Sequence, residues 1–179
     1  LDVYFPDDEY QTLCILDDEP VTPETINALI VDGLEALDLA DKDVLNLIQF
    51  RDAAEVEVVS ELLLGTLKPA PAIILVCVRS HFTPQGKERP VDWQVETLAR
   101  RGLLTEAEAK GLGVFYRNIY PNRDIANSLR VAVSIPDRYL PMSCLFLGKS
   151  NQNEAGLQRR LETKFKRNSG GADWWSAGL

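Results

Sequence analysis

The sequence predicts a mainly α-helical protein of about six helices, with minor β-structure near the N-terminus and an α+β arrangement as the alternative. In several segments, apolar residues recur every three or four positions, which is the spacing of an amphipathic helix. Many of these segments also begin at a capping residue and end at glycine or proline. The 45% share of apolar residues beside 26% charged residues is typical of a globular protein with one core.

The first half of the chain contains three predicted helices after two short extended pieces, LDVYFP and YQTLCIL. Thr22 is a good N-cap for the first helix, and the following proline suits the first helical position. Asp41 caps a second predicted helix that extends to about Ala53. The third predicted helix, AEVEVVSELLLGTLKP, stops at Gly65, although the alternation in EVEVV keeps a strand open there.

Residues 72–82, AIILVCVRSHF, are consistent with a strand or with a helix. The β-branched residues favour a buried strand over 72–80, whereas Pro71 suits the start of a helix. A short run that is apolar throughout has no periodicity to decide between the two. The assignment of this segment is therefore left open.

The second half predicts a helical hairpin over residues 91–120 and two further helices. The first arm of the hairpin ends at Gly102, and Thr105 begins the second arm with a TxxE capping box. Asn122 caps the next helix, which Pro136 closes, and the type of the following apolar segment is open. The last predicted helix, residues 153–167, has an apolar stripe at helical spacing, formed by Leu157, Leu161 and Phe165.

Charge is distributed unevenly between the two halves of the chain. Residues 1–66 contain 17 acidic and two basic residues, whereas residues 67–179 contain 10 acidic and 17 basic residues. Such asymmetry suggests electrostatic partners, although the two halves could also pair their charges within one fold. We therefore predict one globular domain, 1–168, with an acidic half 1–66 and a basic half 67–168, followed by a C-terminal arm, 169–179.

Targeting signals and cysteine spacing give a prediction of the compartment. No apolar run reaches the length of about 18 residues needed to span a membrane, and no signal peptide is visible. Because the chain begins at Leu1 rather than Met, it is open whether a preceding segment with a targeting signal has been removed. Three widely spaced cysteines without a CxxC motif favour a cytoplasmic or other reducing compartment.

Motifs for catalysis, metals and cofactors are not found. His81 is the only histidine, and a Cys77 nucleophile with His81 as its base is the one catalytic pair to consider. On a helix the two would share one face, whereas on a strand they would be about 13 Å apart, beyond hydrogen-bond reach. LFLGKS matches the end of a phosphate-binding P-loop, but Ser143 occupies the position of the first glycine. The sequence therefore predicts no catalytic residue, no metal site and no cofactor, and it favours a protein that is not an enzyme.

The basic half suggests contacts with nucleic-acid phosphates, because the planar guanidinium of arginine suits phosphate oxygens. The candidate nucleic-acid-binding residues are Arg123, Arg130, Arg159, Arg160, Lys164, Lys166 and Arg167. Trp174 and Trp175 follow a Ser-Gly-Gly hinge and are the candidate partner-binding residues, because large aromatic side chains dominate interfaces.

These observations lead to three functional hypotheses. The first is a self-assembling structural protein, nucleocapsid- or coat-like, in which acidic and basic halves of neighbouring subunits meet and an arginine-rich surface binds RNA or DNA. The second is a protein-binding or adaptor domain that uses the basic C-terminal helix and the Trp-Trp tail. The third is an enzyme with an unrecognised site. The expected partners are other copies of the chain and RNA or DNA, without a membrane.

Overall fold

A computed structural model describes residues 19–65 and 71–149, and these residues form an α+β fold. The four α-helices of this part are α1 (Pro23–Leu34), α2 (Ala53–Leu64), α3 (Trp93–Ala109) and α4 (Arg123–Val133). Its five strands are β1 (Leu45–Phe50), β2 (Ala72–Phe82), β3 (Glu88–Pro90), β4 (Leu112–Asn118) and β5 (Tyr139–Lys149), and a short 3-10 helix, Lys42–Val44, precedes β1. The prediction of a mainly α protein with about six helices is therefore wrong.

An antiparallel sheet with the strand order β1-β2-β5-β4 forms the centre of the fold, and β3 pairs with the end of β2. Its two central strands are almost entirely buried. Helices α2 and α4 cover one face of the sheet, and α1 and α3 cover the other. Burial on both faces explains why β2 is apolar throughout its first seven residues rather than alternating.

Two strands lie where the sequence predicted helices. Strand β1 occupies the predicted second helix, and β4 occupies much of the second arm of the predicted hairpin. Leu45 and Ile48 have a spacing that fits a helix, but β1 forms a six-residue ladder with β2, from Leu45↔Val78 to Phe50↔Ile73. Pairing with a central strand thus overrides the local helical pattern.

Helix α3 continues through Gly102, where the sequence predicted an end. A Cβ atom at Gly102 would collide with the carbonyl oxygen of Gly33 in α1, and one at Gly33 would lie 3.1 Å from Leu103 Cα. The glycines therefore allow two helices to approach closely, rather than ending one of them. Thr105 does not cap a new helix, because its hydroxyl donates to the Arg101 carbonyl oxygen at 2.9 Å within α3.

Helix starts follow the predicted caps in two places. Thr22 Oγ1 accepts a hydrogen bond from the Thr25 N–H at the start of α1. Asn122 Oδ1 accepts one from the Ile125 N–H at the start of α4. Gly65 ends α2 in the left-handed conformation, with φ of 59°. These features depend on neighbouring residues, so the sequence alone predicts them.

Ion pairs connect the acidic half of the chain with the basic half. They join Asp41 to Arg79 at 2.7 Å, Asp32 to Lys110 at 2.6 Å, and Glu19 to Lys149. Some of the acidic charge is thus balanced within the chain, as expected if the halves fold together. The predicted helix 153–167 and the arm 169–179 lie outside the described residues.

Candidate functional site

A cleft of about 210 Å³ lies between the β2–β3 hairpin and the N-terminus of α4. Nine residues line it: Lys87, Glu88, Arg89, Tyr120, Pro121, Asn122, Arg123, Ala126 and Leu140. The set combines three cationic side chains with an apolar wall. Such convergence of charged and apolar groups in a concavity is typical of a small-molecule site.

The β2–β3 hairpin presents two of the cationic residues. Thr83 and Lys87 close the turn, with the Thr83 N–H donating to the Lys87 carbonyl oxygen at 2.8 Å. Gly86 adopts φ of 72°, a conformation that side chains disfavour, so glycine suits this position. Beyond the turn, β3 pairs with β2 and places Arg89 opposite His81. Lys87 and Arg89 are therefore held on an ordered hairpin.

The loop before α4 is anchored to the centre of the sheet. The N–H groups of Ile119 and Tyr120 both donate to the Met142 carbonyl oxygen of β5, at 2.8 and 3.1 Å. Asn122 then caps α4, which places Arg123 at the first helical position, exposed beside the cleft. Because a helix N-terminus carries a partial positive charge, it adds to the charge of Arg123.

A mostly buried ion pair forms the wall beneath the cleft. Arg130 of α4 binds Glu88 of β3 through two hydrogen bonds, of 2.6 and 3.0 Å, and also donates to the Tyr139 carbonyl oxygen at 2.6 Å. Ser80 donates to the same carboxylate at 2.6 Å. Burial favours a raised pKa for Glu88, but the hydrogen bonds from Arg130 and Ser80, together with the nearby positive charge, hold that pKa below its ordinary value.

Because the negative charge of Glu88 is balanced within its ion pair, the cationic residues of the lining give the cleft an excess of positive charge. Arg89 Nη1 donates to the Tyr120 hydroxyl at 2.9 Å, which orients its guanidinium without cancelling the charge. Within the described residues, neither Lys87 nor Arg123 forms an ion pair. The electrostatic character of the cleft therefore favours an anionic ligand.

A second buried carboxylate lies away from the cleft, between α3 and the sheet. Glu96 accepts hydrogen bonds from Ser143 Oγ at 2.6 Å and from Arg100 Nε at 2.8 Å. The Arg100 guanidinium in turn lies 4.3 Å from the centre of the Tyr116 ring. Each charged group of this cluster has a partner, so we interpret the cluster as a structural attachment of α3 to β5.

The two described cysteines and the histidine do not form a catalytic group. Cys77 is buried in β2, and burial raises the pKa of its thiol to about 12. Burial raises the pKa of Cys144 as well, with a further contribution from the neighbouring Cys77. Because the thiolate is the nucleophile, neither thiol is activated. His81 lies exposed near the end of the same strand, so the structure supports no Cys77–His81 pair.

The structure locates two of the seven predicted nucleic-acid-binding residues. Arg123 lines the cleft, whereas Arg130 lies beneath it and uses its guanidinium for Glu88. Arg159, Arg160, Lys164, Lys166 and Arg167 lie outside the described residues, as do Trp174 and Trp175. Sequence reasoning missed the cleft residues Lys87 and Arg89, because they lie more than thirty positions from Arg123 and belong to no named motif.

Metal sites and membrane spans were also searched for in the described part of the chain. Residues 19–65 and 71–149 bring together no group of three His, Cys, Asp or Glu side chains that could hold a metal ion. Among the same residues, no helix is both long enough and apolar enough to cross a bilayer.

Comparison with known proteins finds a relative and solved structures named as NAD(P)H-dependent enzymes, although no family model matches the chain. Over 88 residues, the chain is 31% identical to a Methanothermobacter thermautotrophicus protein named "Putative NADH dehydrogenase/NAD(P)H nitroreductase". The match spans 49% of this chain and 44% of that protein, so the chain spans less than half of the relative.

Two solved structures have similar folds. A protein with the same name from Parabacteroides distasonis is 27% identical, with a TM-score of 0.64 over 78% of this chain and 81% of that one. The NADPH:FMN oxidoreductase of Vibrio harveyi, solved with NAD⁺, is 17% identical, with a TM-score of 0.63 over 81% of this chain and 70% of that one. At 17% identity, the second match supports the fold alone.

These comparisons overturn the first of the three functional hypotheses drawn from the sequence. The similar proteins are oxidoreductases, so the prediction of a self-assembling structural protein that binds nucleic acid is wrong. The alternative of an adaptor domain receives no support from them either. The physical reason is that a cluster of arginines reports only an affinity for anions, which nucleic acids and small phosphorylated molecules share.

Proposed function

We propose that the chain is an oxidoreductase domain that uses NAD(P)H and a flavin mononucleotide to reduce small electron-accepting molecules such as nitro compounds. The observation that carries the proposal is the 31% identity over 88 residues to a protein named as an NADH dehydrogenase/NAD(P)H nitroreductase. The 27% identical structure from Parabacteroides distasonis, which has the same name and a similar fold, supports it. Because the chain spans less than half of the first relative, its activity and substrates belong entirely to the proposal.

The described residues fit one end of a flavin mononucleotide. Its phosphate requires cationic donors, and the cleft offers Lys87, Arg89 and Arg123 beside a helix N-terminus. Tyr120 and Leu140 provide an apolar wall next to these donors, suited to the less polar part of a ligand. The cleft volume of about 210 Å³ is below the range of about 300–1,000 Å³ for whole ligands, so the remainder of a flavin would extend beyond it.

When bound, the flavin supplies the electron transfer between the nicotinamide and the acceptor. The side chains of the cleft are then expected to bind and orient the anionic end of the ligand. Cys77 and Cys144 take no part in this proposal, because both thiols are buried within the sheet and neither is activated. The proposal therefore depends on ligand binding and not on a protein nucleophile.

Steady-state oxidation of NADPH or NADH tests the proposed function. The purified chain, supplied with FMN and a nitroaromatic acceptor, should consume the reduced nicotinamide faster than free FMN at the same concentration. Omission of the acceptor under anaerobic conditions should lower the steady-state rate, because the electrons then have no destination. A rate equal to that of free FMN, with either nicotinamide, would contradict the proposal.

The expected homo-oligomer stays a prediction. It arose from the opposite charges of the two halves, some of which are paired within the chain. Light scattering coupled to size exclusion at low and high salt tests it. A mass above 20.0 kDa supports the prediction, and a monomer at every salt concentration refutes it.

A cytoplasmic or other reducing compartment is also part of the proposal. Cys77 and Cys144 are free thiols in the interior, and NAD(P)H-dependent chemistry suits the same environment. Fractionation of the cells that produce the protein would test this assignment. Recovery outside the reducing compartments would contradict it.

A further inference from the structure

We propose that a groove between α2 and α4 is a docking site for a partner protein, which contributes an amphipathic helix with basic flanks. The groove has a volume of about 870 Å³ and is lined by Val58, Glu61, Leu62, Asn127, Ser128, Val131 and Ala132. None of these residues lines the cationic cleft, so the groove is a second surface of the described chain. The proposal therefore does not depend on the oxidoreductase function.

Three large apolar side chains of the groove are exposed to solvent. Val58 and Leu62 of α2 are 41% and 37% exposed, and Val131 of α4 is 85% exposed. Each helix packs a different set of apolar residues against the sheet, so these three side chains are not needed to hold the helices in place. Single exposed apolar residues are normal on a surface, but apolar residues that share one groove with a polar rim are typical of an interaction site.

The walls of the groove are suited to a helix rather than a strand. Val58 and Leu62 are four positions apart on α2, which places them on one face of that helix, and Val131 lies on the other wall. A docked helix presents apolar side chains at the same spacing of three or four residues. A docked strand instead requires unpaired backbone groups at a sheet edge, and both walls are helices, whose backbone groups are paired internally.

The charge of α2 selects a basic helix as the occupant. Glu55, Glu57 and Glu61 are exposed on α2, and that helix contains no basic residue. Within residues 19–65 and 71–149, no ion pair involves any of these three carboxylates. Glu61 is also the one charged residue of the lining among the described residues. Lysine or arginine beside the apolar stripe of a partner helix would therefore pair with carboxylates that the described chain leaves unpaired.

The same charges disfavour a second copy of this chain as the occupant. A two-fold contact through the groove would bring the acidic α2 of one copy against that of the other. Like charges that are brought together and desolvated weaken an interface. The partner is therefore expected to carry the opposite charge at the contact.

Fluorescence polarisation with three labelled peptides tests the proposal. The first peptide, of about 18 residues or five helical turns, has leucine at every third or fourth position and lysine and alanine elsewhere. The second has glutamate in place of every lysine, and the third has the composition of the first in an order without helical spacing. The wild-type chain should bind the first peptide about tenfold more tightly than either of the others, because only the first matches both the apolar spacing and the charge of the groove.

Two double variants locate the binding. Leu62→Asn/Val131→Asn should weaken binding of the lysine peptide about tenfold, since burial of one such apolar side chain contributes more than the 1.4 kcal/mol that corresponds to tenfold. Val31→Asn/Leu98→Asn is the matched control, because it makes the same replacements at exposed positions of α1 and α3, which cover the other face of the sheet. This control should keep the affinity of the wild type. Circular dichroism checks that both variants fold.

A charge reversal tests the electrostatic part without removing apolar surface. Glu61→Lys should reduce the preference for the lysine peptide over the glutamate peptide about tenfold, because it reverses the charge of the lining. Glu108→Lys makes the same reversal at an exposed position near the C-terminal end of α3 and should keep the preference of the wild type.

Equal affinity for the lysine peptide and either of the other two would overturn the proposal. Undiminished binding of the lysine peptide by Leu62→Asn/Val131→Asn, or an unchanged charge preference in Glu61→Lys, would overturn it as well. Light scattering distinguishes the remaining occupant: a wild-type oligomer that the same double variant converts to a monomer would show that a second copy fills the groove. None of these results bears on NADPH oxidation, which tests the proposed function separately.

Discussion

Replacement of Arg130 by methionine should destabilise the protein more than any exposed arginine replacement. The guanidinium binds both oxygens of Glu88, and the Ser80 hydroxyl also donates to that carboxylate. The side chains of Arg130 and Glu88 are only 15% and 10% exposed, so water cannot replace the lost hydrogen bonds well. The Tyr139 carbonyl oxygen also loses the hydrogen bonds that Arg130 donates to it.

The expected loss is about 3 kcal/mol, the lower end of the range for breaking one partner out of a buried pair. For a chain of this length, this corresponds to a decrease of about 10 °C in Tm. Urea denaturation measures the loss as a change in midpoint at constant m value. The double variant Glu88→Gln/Arg130→Met should lose less than the sum of the two single variants, because it leaves no unpaired charge.

Arg101→Gln is the matched control, because this arginine is exposed and has no ion pair among the described residues. Its effect should stay within about 0.5 kcal/mol. If Arg130→Met falls in the same range, or if the effects at Glu88 and Arg130 simply add, then the ion pair does not stabilise the wall of the cleft.

Three further predictions concern packing, pH and thiol reactivity. Gly102→Ala should lower the free energy of unfolding by about 1–3 kcal/mol, measured by urea denaturation, because the added Cβ would collide with α1. Leu98→Ala, on the exposed face of α3, should lower it much less. Equal effects would contradict the close contact between the two helices. The pKa of Glu88 is lower in the folded protein, so its stabilising contribution is complete above the unfolded pKa of about 4.3 and is lost as pH falls through the folded pKa. Glu88→Gln should therefore flatten the acid limb of a curve of unfolding free energy against pH. An unchanged acid limb would refute this. Cys77 and Cys144 should resist iodoacetamide at neutral pH until the chain is unfolded, as peptide mass mapping would show, and rapid labelling of either in the native protein would contradict their burial.

The sequence alone predicts where helices are capped, but it does not predict which strands pair. Thr22 and Asn122 each accept a hydrogen bond from an N–H group three residues later. Each helix start is therefore determined by a short segment of sequence. Strand β1 instead depends on a partner about thirty residues away, Val78 for Leu45. In this segment, apolar residues three positions apart fit a helix, and only pairing with the neighbouring strand makes the segment a strand.

Glycine has two structural roles in this chain, helix termination and close helix contact, and the sequence alone does not distinguish them. Gly65 ends a helix with a positive φ, as predicted, whereas Gly102 lies in the middle of one and accommodates a crossing helix. The distinction depends on α1, which contacts α3 from nearly seventy residues away. Similarly, the long apolar run of β2 is explained only by helices on both faces of the sheet.

The candidate site was predicted only in its charge. Arg123 was predicted to bind nucleic acid, and in the structure it lines the cationic cleft. Its neighbours Lys87 and Arg89 come from a hairpin whose turn residues carried no recognised motif. The error in assigning nucleic acid as the ligand follows from the same gap, because arginine side chains bind phosphate groups in either class of molecule.

Anaerobic mixing of NADPH with the FMN-supplied chain tests the central claim most directly. The account predicts that the chain binds FMN, and that NADPH then removes the visible absorbance of the oxidised flavin much faster than it does for free FMN. Addition of a nitroaromatic acceptor should restore that absorbance. A chain that binds no FMN, or that leaves its reduction by NADPH at the rate of free FMN, would contradict the assignment of an NAD(P)H-dependent oxidoreductase.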